Sequence, residues 1–418
     1  MPDAIVIGAG VIGSTTALYL AREGLSVTVV ESWEQSGLGT SFANGGLVTP
    51  STALPWCSPA VPGLLLRWLG REDAPLLLRP SAIPRLGIWG AKFLANCRSS
   101  KYLASSRQMT RFARESLEET EGLLAQKSVD FSLGHGGLLE LFRGEDGVKA
   151  RDTYANFLEA LDVRVERRDG AECVALEPHL AAIAPTIRAG LLLPDDAWGD
   201  ARAFTRAVET AARGLGVEFL FGTDVQGIDI EAGKIAGIRT SAGPIKTPVV
   251  VVCAGPGAKQ IVKPYGIHLP IEPVKGYSIS LMKSDLGFLP KRPIVDDIAR
   301  LGVTPMSDHL RIAGTVEFDG YNKTVRPGRI NNLIKAFNGL FPNVELPADY
   351  TPWCGHRPMS ADGKPIVDAT SVSGLYINTG HGALGWTLAC GSAKMITNVV
   401  LRRPSTDASA FRLDRPFW

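Results

Sequence analysis

The stretch Ala4-Ile5-Val6-Ile7-Gly8-Ala9-Gly10-Val11-Ile12-Gly13 decides the fold, because an apolar run leads directly into a GxGxxG turn. A helical pattern follows and stops at Gly24, and a β-rich run over residues 26–30 ends at Glu31. Gly8 permits a tight turn, Gly10 lets the backbone approach a pyrophosphate, and Gly13 lets helix and strand pack closely. Strand, glycine turn, helix, strand and acid in this order predict a βαβ unit that binds a dinucleotide.

The ends of this unit supply the candidate contacts to the nucleotide half of a cofactor. Glu31 can accept hydrogen bonds from both ribose hydroxyls, and its charge disfavours a 2′-phosphate. The amides of Val11 and Ile12 at the helix N-terminus, and Ser32 after the acid, are expected to lie beside it. The motif alone does not separate FAD from NAD, and a purely structural glycine turn is the alternative.

The rest of the 418 residues predicts a second domain interleaved with the first. Residues 249–252 are an apolar run typical of a buried parallel strand, whereas residues 277–281 and 310–314 alternate, which predicts an antiparallel sheet with one face in water. We predict the α/β fold class, with a Rossmann-like dinucleotide-binding domain and a second, α+β domain built on a mainly antiparallel sheet. The first takes segments 1–50, 200–260 and 350–418, and the second takes 51–199 and 261–349. Helices are expected at about 109–124, 148–161, 201–213, 328–341 and from Gly382 to about 402.

Composition excludes several classes of protein. A net charge of +2, from 44 Lys plus Arg and 42 Asp plus Glu, argues against a nucleic-acid partner. Six cysteines without CxxC or Cys/His spacing favour reduced thiols, a cytoplasmic protein and no bound metal. Residues 35–66 carry no charge, but their prolines argue against a spanning helix. The apolar region 54–95 is expected to be a buried layer or lid, and peripheral contact with the inner face of a membrane, or with a quinone, is the alternative.

Further segments carry groups suited to ligand binding. Arg357 has a planar fork that matches a carboxylate, although a structural salt bridge to Asp362 or Asp368 is the alternative. His381 is a candidate base, but a loop histidine with a hydrogen-bonding role is the simpler interpretation. The adjacent acids Asp195 and Asp196 are interpreted as a turn, not as a catalytic pair. Glycine-rich or polar segments add these candidate cofactor contacts: Thr40, Ser41, Asn44, Gly45, Gly46, Val225, Ala254, Gly255, Gly380, Gly382, Ala383, Leu384 and Gly385.

With these residues the chain resembles the flavin-dependent amine and amino-acid oxidoreductases of the DAO superfamily. Within them it is similar to the bacterial D-amino acid dehydrogenases of the small-subunit type. The resemblance runs from the first strand nearly to the C-terminus. Its most specific segments are residues 40–45, 276–278, 357–363 and 378–392.

The resemblance implies non-covalent FAD and a flavin held between the two domains. It implies hydride transfer from Cα of a D-amino acid to flavin N5, giving an imino acid that hydrolyses to a 2-oxo acid and ammonia. Arg357 would hold the substrate carboxylate, Tyr277 would face the pocket, and the helix after Gly382 would stabilise the reduced flavin. Electrons would pass to a quinone or another carrier.

Departures from the family pattern leave the substrate open. His356 stands where many relatives carry an apolar residue, which makes D-proline or hydroxyproline a candidate substrate. The residues are also compatible with an oxygen-using oxidase of the glycine or sarcosine type, or with an electron-transfer flavin subunit of a complex. An NAD-linked dehydrogenase fits the first glycine turn equally well, but the glycine–histidine segment near the C-terminus disfavours it.

Overall fold

Residues 1–347, 349–404 and 408–417 are described by a computed structural model. The chain alternates helices with strands that belong to four sheets, and both are numbered here along the chain. The helices are α1 Val11–Arg22, α2 Val61–Trp68, α3 Ile83–Asn96, α4 Ser99–Ala125, α5 Gly147–Glu159, α6 Gly170–Leu176, α7 Ala201–Gly214, α8 Ala258–Val262, α9 Lys283–Leu286, α10 Pro327–Leu340 and α11 Ala389–Val400. The Asp200 carboxylate caps α7, because its Oδ1 accepts hydrogen bonds from the amides of Arg202 and Ala203.

A six-stranded sheet forms the dinucleotide-binding layer. Its order is β19 (Ile366–Ala369), β20 (Leu375–Thr379), β13 (Val250–Val252), β1 (Ala4–Ile7), β2 (Val27–Val30) and β9 (Glu218–Leu220), and only β19 runs antiparallel to its neighbour. Its two faces bury alternate side chains: Val6 faces α1, α4, α7 and α11, while Ile5 and Ile7 face a small sheet and α8. That small antiparallel sheet contains β10 (Val225–Glu231), β11 (Lys234–Thr240) and β12 (Gly243–Lys246).

A nine-stranded, mainly antiparallel sheet forms the second layer. Its order is β18 (Thr351–Ser360), β14 (Ile271–Met282), β17 (His309–Phe318), β16 (Leu301–Pro305), β15 (Ile294–Asp296), β5 (Leu138–Phe142), β7 (Ala189–Leu193) and β6 (Glu166–Arg168), and β4 (Leu76–Leu78) adds to β17. One face carries leucine and isoleucine side chains that pack on α10. A short pair, β3 (Leu47–Val48) with β8 (Ala197–Trp198), links the segment after β2 to the segment before α7. The α/β fold class expected from the sequence is thereby confirmed.

The structure differs in two respects from the domain boundaries expected from the sequence. Residues 351–360 belong to the nine-stranded sheet and not to the dinucleotide layer, because β18 pairs with β14 from Ile271↔Ser360 to Ser280↔Thr351. Helix α4 lies in the expected second domain by sequence, yet it packs on the helices of the dinucleotide layer through Met109 and Phe112. The boundaries drawn from the sequence therefore misplace both elements.

The expectation of a face in water for β14 and β17 is wrong. Ser278 and Arg311 lie on the face opposite to the leucine and isoleucine side chains, and their side chains are 1% and 5% exposed. That face is covered by the loop of residues 39–46, which accepts hydrogen bonds from both side chains. Polar residues on this face are therefore internal donors and not solvated groups.

Candidate cofactor and substrate site

The glycine turn between β1 and α1 has the geometry that a pyrophosphate requires. Gly8 adopts φ +105°, and a Cβ on Gly13 would lie 1.8 Å from the Gly8 carbonyl oxygen. Gly10 is the N-cap of α1 and has no side chain to cap the helix, and no acid lies in the first turn. The amides and the positive dipole of a helix N-terminus without an acidic residue together favour an anion. The amide of Val11 is directed to the Ser41 hydroxyl, 3.1 Å away, so Ser41 adjoins this site.

Glu31 stands at the end of β2, beside the same turn. Its carboxylate accepts hydrogen bonds from the amides of Ala9 (2.6 Å) and Trp33 (3.1 Å) and from the Ser32 hydroxyl (3.1 Å). These contacts fix the carboxylate at the carboxyl edge of the sheet, where the ribose of a dinucleotide is bound in this type of fold. Ile12 points into the helix layer and lies against its core.

The loop of residues 39–46 runs from the N-terminus of α1 to the nine-stranded sheet. The Thr40 hydroxyl donates to the carbonyl of His356 at 2.7 Å, which joins the loop to β18. Gly46 adopts φ +74°, and a Cβ there would lie 2.1 Å from the Met306 methyl group, so only glycine fits. The amide of Gly46 donates to Asn44 Oδ1 at 3.0 Å. The loop is therefore an internal connection between the two sheets and not a surface turn.

Arg357, on β18, lies over Gly276 of β14 and beside the ring of Trp56, whose centroid is 5.2 Å from the guanidinium carbon. Burial lowers the pKa of Arg357 to about 10. No described residue forms an ion pair or hydrogen bond with its guanidinium. The two acids that could have neutralised it are engaged elsewhere: Asp362 receives two hydrogen bonds from Arg415, at 2.8 and 3.0 Å, and Asp368 accepts one from the amide of Leu413 at 2.9 Å. The structural salt bridge is thereby excluded.

Tyr277 and His356 lie on the opposite face of the sheet from Arg357. Tyr277 is 1% exposed and packs in the leucine and isoleucine core, and its hydroxyl donates to Glu317. The His356 ring contacts the carbonyl of Asn322, 3.1 Å from Nε2. Strand neighbours point to opposite faces, so neither side chain shares the face of Arg357. The position of Tyr277 therefore does not fit its expected role in the pocket. The position of His356 likewise does not fit a contact with the substrate side chain.

The segment after β20 brings His381 to the end of β18, where its backbone pairs with that of Met359. His381 is 2% exposed, and burial lowers its pKa to about 3, so the imidazole is neutral at physiological pH. Its Nε2 is buried and lacks a partner among the described residues. An imidazole with this pKa is too weak a base to take up a proton near neutrality, so a hydrogen-bonding role fits better. Positive φ angles at Gly380 (+83°) and Gly382 (+57°) shape the turn.

The α-helix that was expected directly after Gly382 begins later. Residues Gly382–Leu384 form a 3₁₀ turn, Gly385 follows it, and α11 starts at Ala389. The free amides next to His381 therefore belong to the 3₁₀ turn that includes Ala383, and not to the long helix.

The remaining expected contacts lie around the carboxyl edge of the six-stranded sheet. Ala254 and Gly255 follow β13 and lie beside Gly8, and the Gly255 carbonyl accepts a hydrogen bond from the Thr379 hydroxyl at 3.0 Å. Val225 begins β10 and is partly buried in the core between the two smaller layers.

The turn interpretation fits Asp195, but the burial of Asp196 was not expected from the sequence. Asp195 is exposed and pairs with Arg164 at 2.9 Å, as a turn residue would. Asp196 is 2% exposed, accepts a hydrogen bond from the amide of Ser51 at 3.0 Å, and leaves Oδ2 without a partner among the described groups. Burial raises the pKa of Asp196 to about 7.

Similarity to known proteins shows which family the chain belongs to. The model of the DAO family, described as FAD dependent oxidoreductase, matches residues 3–399. A D-amino acid dehydrogenase of Rhodopseudomonas palustris (strain HaA2) is 37% identical over 412 residues, covering 98% of this chain and 97% of the relative. One from Phenylobacterium zucineum (strain HLK1) is 38% identical over 409 residues, covering 97% and 96%. The chain belongs to the D-amino acid dehydrogenases of the DAO family.

Solved structures support the fold of this FAD-dependent oxidoreductase. Glycine oxidase from Bacillus cereus ATCC 14579 superposes with a TM-score of 0.76 at 22% identity, covering 100% of this chain and 99% of that one. L-proline dehydrogenase from P. horikoshii gives a TM-score of 0.75 at 20% identity, covering 98% and 96%.

The residues of this DAO-family chain fit FAD. Gly8 and Gly13 leave no room for a Cβ, the N-cap residue of α1 has no side chain, and Glu31 stands beside the turn at the end of β2. Farther along, the buried Nε2 of His381 lacks a partner among the described residues, and a ring system at the junction of the two sheets would offer one. Part of this set could be recognised in the sequence as motifs. Trp56, which contacts Arg357, and Gly276, which leaves space for its guanidinium, could not be assigned these roles from the sequence.

Proposed function

We propose that this oxidoreductase oxidises D-amino acids, as the names of its relatives state for them. The observation that carries the proposal is Arg357, a guanidinium without an anionic partner among the described residues. It lies on the sheet face that meets the loop of residues 39–46, called the cofactor loop from here on. A planar fork with two parallel donors matches a carboxylate. An amino acid would bring the anion that this site otherwise lacks.

The chain's own residues bind and orient; they do not abstract protons. Arg357 would hold the carboxylate, and the Trp56 ring beside it would exclude water from that side. His381 is neutral with a pKa of about 3, so it would donate or accept a hydrogen bond and not take up a proton. When bound, FAD supplies the hydride acceptor, flavin N5, so that the substrate leaves as an imino acid, which water hydrolyses to a 2-oxo acid and ammonia. Positioning is then the protein's main contribution.

Anaerobic mixing of the purified holoenzyme with a panel of D- and L-amino acids tests the proposal. Loss of the flavin absorbance with D-amino acids but not with their L-enantiomers is the expected result. Bleaching by L-enantiomers, or by glycine and sarcosine only, would replace D-amino acids with another amine class. A flavin that no amine reduces would instead favour a subunit that only carries electrons.

The side chain of the substrate remains a separate part of the proposal. His356 pointed to D-proline or hydroxyproline, but its side chain lies on the far side of β18, away from Arg357. The argument for a cyclic substrate therefore loses its basis, and acyclic D-amino acids are the first to test. We expect D-alanine to reduce the flavin at least as fast as D-proline.

We further propose that electrons pass to a quinone or another carrier at a membrane surface. None of the helices in the described part of the chain combines the length and hydropathy that crossing a bilayer requires. Helices α2 and α3 nevertheless expose large apolar side chains, among them Leu66 at 80% and Ile88 at 72%. Reoxidation of the reduced enzyme by a water-soluble quinone, compared with oxygen and hydrogen peroxide formation, separates a dehydrogenase from an oxidase.

A further inference from the structure

Three successive carbonyl groups of the cofactor loop are each held by a side chain of the nine-stranded sheet. Ser278 on β14 donates to the carbonyl of Ala43 at 2.7 Å, and Thr304 on β16 donates to that of Gly45 at 2.7 Å. Between them, Arg311 on β17 donates from Nη1 to the carbonyl of Asn44 at 3.0 Å. The three strands are neighbours in the order β14, β17, β16, so the sheet fixes the loop at three consecutive peptides.

This arrangement sets the direction of the loop amides. The chain has no cis peptide in its described part, and in a planar trans peptide the N–H points away from the preceding carbonyl. The amides of Asn44 and Gly45 therefore point away from the sheet. Neither donates to a group in the described residues, whereas the next amide, of Gly46, is satisfied by Asn44 Oδ1. Two donors are thus held ready for a ligand at the junction of the two sheets.

Arg311 is the only charged member of this triad. It is 5% exposed, its Nη2 lies 3.0 Å from His309 Nε2 and 3.9 Å from Asp200 Oδ2, and its Nε has no described partner. A cation that donates to the Asn44 carbonyl polarises that peptide and strengthens its N–H, which belongs to Gly45. The buried charge of Arg311, with a single acid 3.9 Å away, also exerts an electrostatic field over several ångströms, because little water screens it.

We propose that Arg311 is a positioning residue of the flavin site: it orients and polarises the Asn44–Gly45 peptide so that the Gly45 amide donates to the flavin ring, and thereby favours the reduced flavin. Negative charge on a two-electron-reduced flavin is stabilised by nearby cations and amide donors. The proposal rests on the FAD site but not on the identity of the substrate. It therefore survives or fails independently of the amino-acid panel.

The test compares Arg311→Met, Arg311→Lys and Arg329→Met in the FAD-loaded protein. Arg329 is a matched control, because it is also a buried arginine that donates to backbone carbonyls, those of Glu72, Ala74 and Val316, but none in the loop. The midpoint potential of the flavin is measured without amino acid, by equilibration with a reference dye. FAD dissociation is followed in parallel by flavin fluorescence.

Arg311→Met should lower the equilibrium constant for two-electron reduction at least tenfold, about 30 mV at the tenfold limit. Arg311→Lys should recover most of that loss, and Arg329→Met should leave the potential unchanged. An Arg311→Met protein that binds FAD and keeps the wild-type potential, or an Arg329→Met protein with the same shift, would overturn the proposal.

A second variant decides the question if Arg311→Met does not fold. Asp200→Asn keeps the Oδ1 that caps α7 but removes the negative charge 3.9 Å from the Arg311 guanidinium. The potential should then move the opposite way, with the reduction equilibrium constant rising about threefold. An unchanged or lower potential in Asp200→Asn would contradict the role of the Arg311 charge.

Discussion

Arg357 is a partly buried cation whose desolvation the rest of the chain does not offset. Removing a cation from water costs free energy unless an anion or hydrogen-bond acceptors compensate for the lost hydration. Asp362 and Asp368 are committed to the C-terminal segment, and the contact with Trp56 supplies only a weak cation–π attraction. The proposed substrate carboxylate would complete the site and explain why such an arginine is tolerated.

Replacing Arg357 by alanine should lower kcat/KM by the equivalent of about 2–5 kcal/mol, because the substrate carboxylate would lose its charged, hydrogen-bonding partner. FAD should remain bound with its absorbance spectrum intact. Lysine at the same position should recover only part of the loss, since it lacks the two parallel donors. Arg67→Ala, on exposed α2, serves as the control. Wild-type kinetics in Arg357→Ala would remove this residue from the substrate site.

The pH dependence of kcat/KM should have two limbs. It should rise as the substrate amine loses its proton, because hydride leaves Cα only when the neutral nitrogen has a lone pair to form the C=N bond. It should then fall above pH of about 10, where the lowered pKa of Arg357 removes the charge that binds the carboxylate. In Arg357→Lys the falling limb should move to another pH while the rising limb stays. A single plateau up to pH 11 would contradict this assignment.

Asp196 should make the folded protein less stable at alkaline than at acidic pH. Its pKa is raised to about 7 by burial, so between about pH 4 and 7 the unfolded chain loses this proton while the folded chain keeps it. The contribution of Asp196 to the free energy of unfolding therefore falls as the pH rises through this window. At higher pH this contribution stays constant.

Asp196→Asn keeps the acceptor for the Ser51 amide but cannot ionise, so it should stabilise the protein relative to wild type. The difference in unfolding free energy, from urea denaturation of both proteins, should grow by about 2–3 kcal/mol between pH 5 and pH 8. Asp195→Asn, at the exposed neighbour, should show no such growth. A constant difference at both pH values would mean that Asp196 is ionised throughout.

At the scale of elements, the pairing of β14 with β18 leaves space for the Arg357 side chain. Gly276 lies under the guanidinium, and a Cβ there would stand 2.9 Å from Arg357 Nη2. Gly276→Ala should displace the guanidinium and raise the KM for the amino acid about tenfold, with FAD retained. Gly302→Ala is the matched control in the same sheet, since its Cβ would meet only ordinary contacts of 3.7 Å or more. Equal KM values in the two variants would show that Arg357 can adapt.

The β14–β18 pair also shows which features of the site can be predicted from the sequence and which cannot. The turn of Gly8, Gly10 and Gly13 could be assigned because its strand, turn and helix are continuous in sequence. Arg357 could be chosen for its chemistry, but whether Tyr277 shares its face depends on the register of two strands far apart in the chain. A one-residue slip would have exchanged their faces.

Coverage of a strand by a distant loop is equally invisible to local patterns. Arg311 alternates with Leu310 and Ile312, and this alternation looks the same whether the polar face meets water or another segment. The covering residues, such as Asn44, precede Arg311 by more than two hundred positions. The donors that hold the cofactor loop were therefore missed.

At the scale of the whole molecule, exposed apolar side chains are concentrated on one segment. Of the large hydrophobic residues that are exposed, five lie on or next to α2 and α3: Leu66, Leu69, Ile83, Ile88 and Leu94. The inward face of α3 places Trp89 and Phe93 against the nine-stranded sheet near Met359. Helix α3 thus has a buried face, which fits the expected lid, and an exposed face, which the proposed membrane contact would use.

The membrane surface proposed above as the place of electron transfer would meet this outer face, and its lipid would be anionic. Arg67 and Arg85 lie among the exposed apolar residues, and cations beside apolar side chains are typical of interfacial helices. Docking there would bring the segment that carries Trp56, and with it the Arg357 site, next to the lipid phase in which a quinone dissolves.

The holoenzyme should therefore float with phosphatidylglycerol vesicles on a density gradient, and less so at high salt because the arginine contribution is screened. The double variant Leu66→Asp, Ile88→Asp should bind these vesicles at least tenfold more weakly, since burying each apolar side chain is worth about 1.5–3 kcal/mol. Leu215→Asp, at an exposed leucine after α7, should float like wild type. Flotation that survives in the double variant would place the contact elsewhere. If the wild-type enzyme stays with the protein fraction, the carrier it reduces must reach the flavin from water.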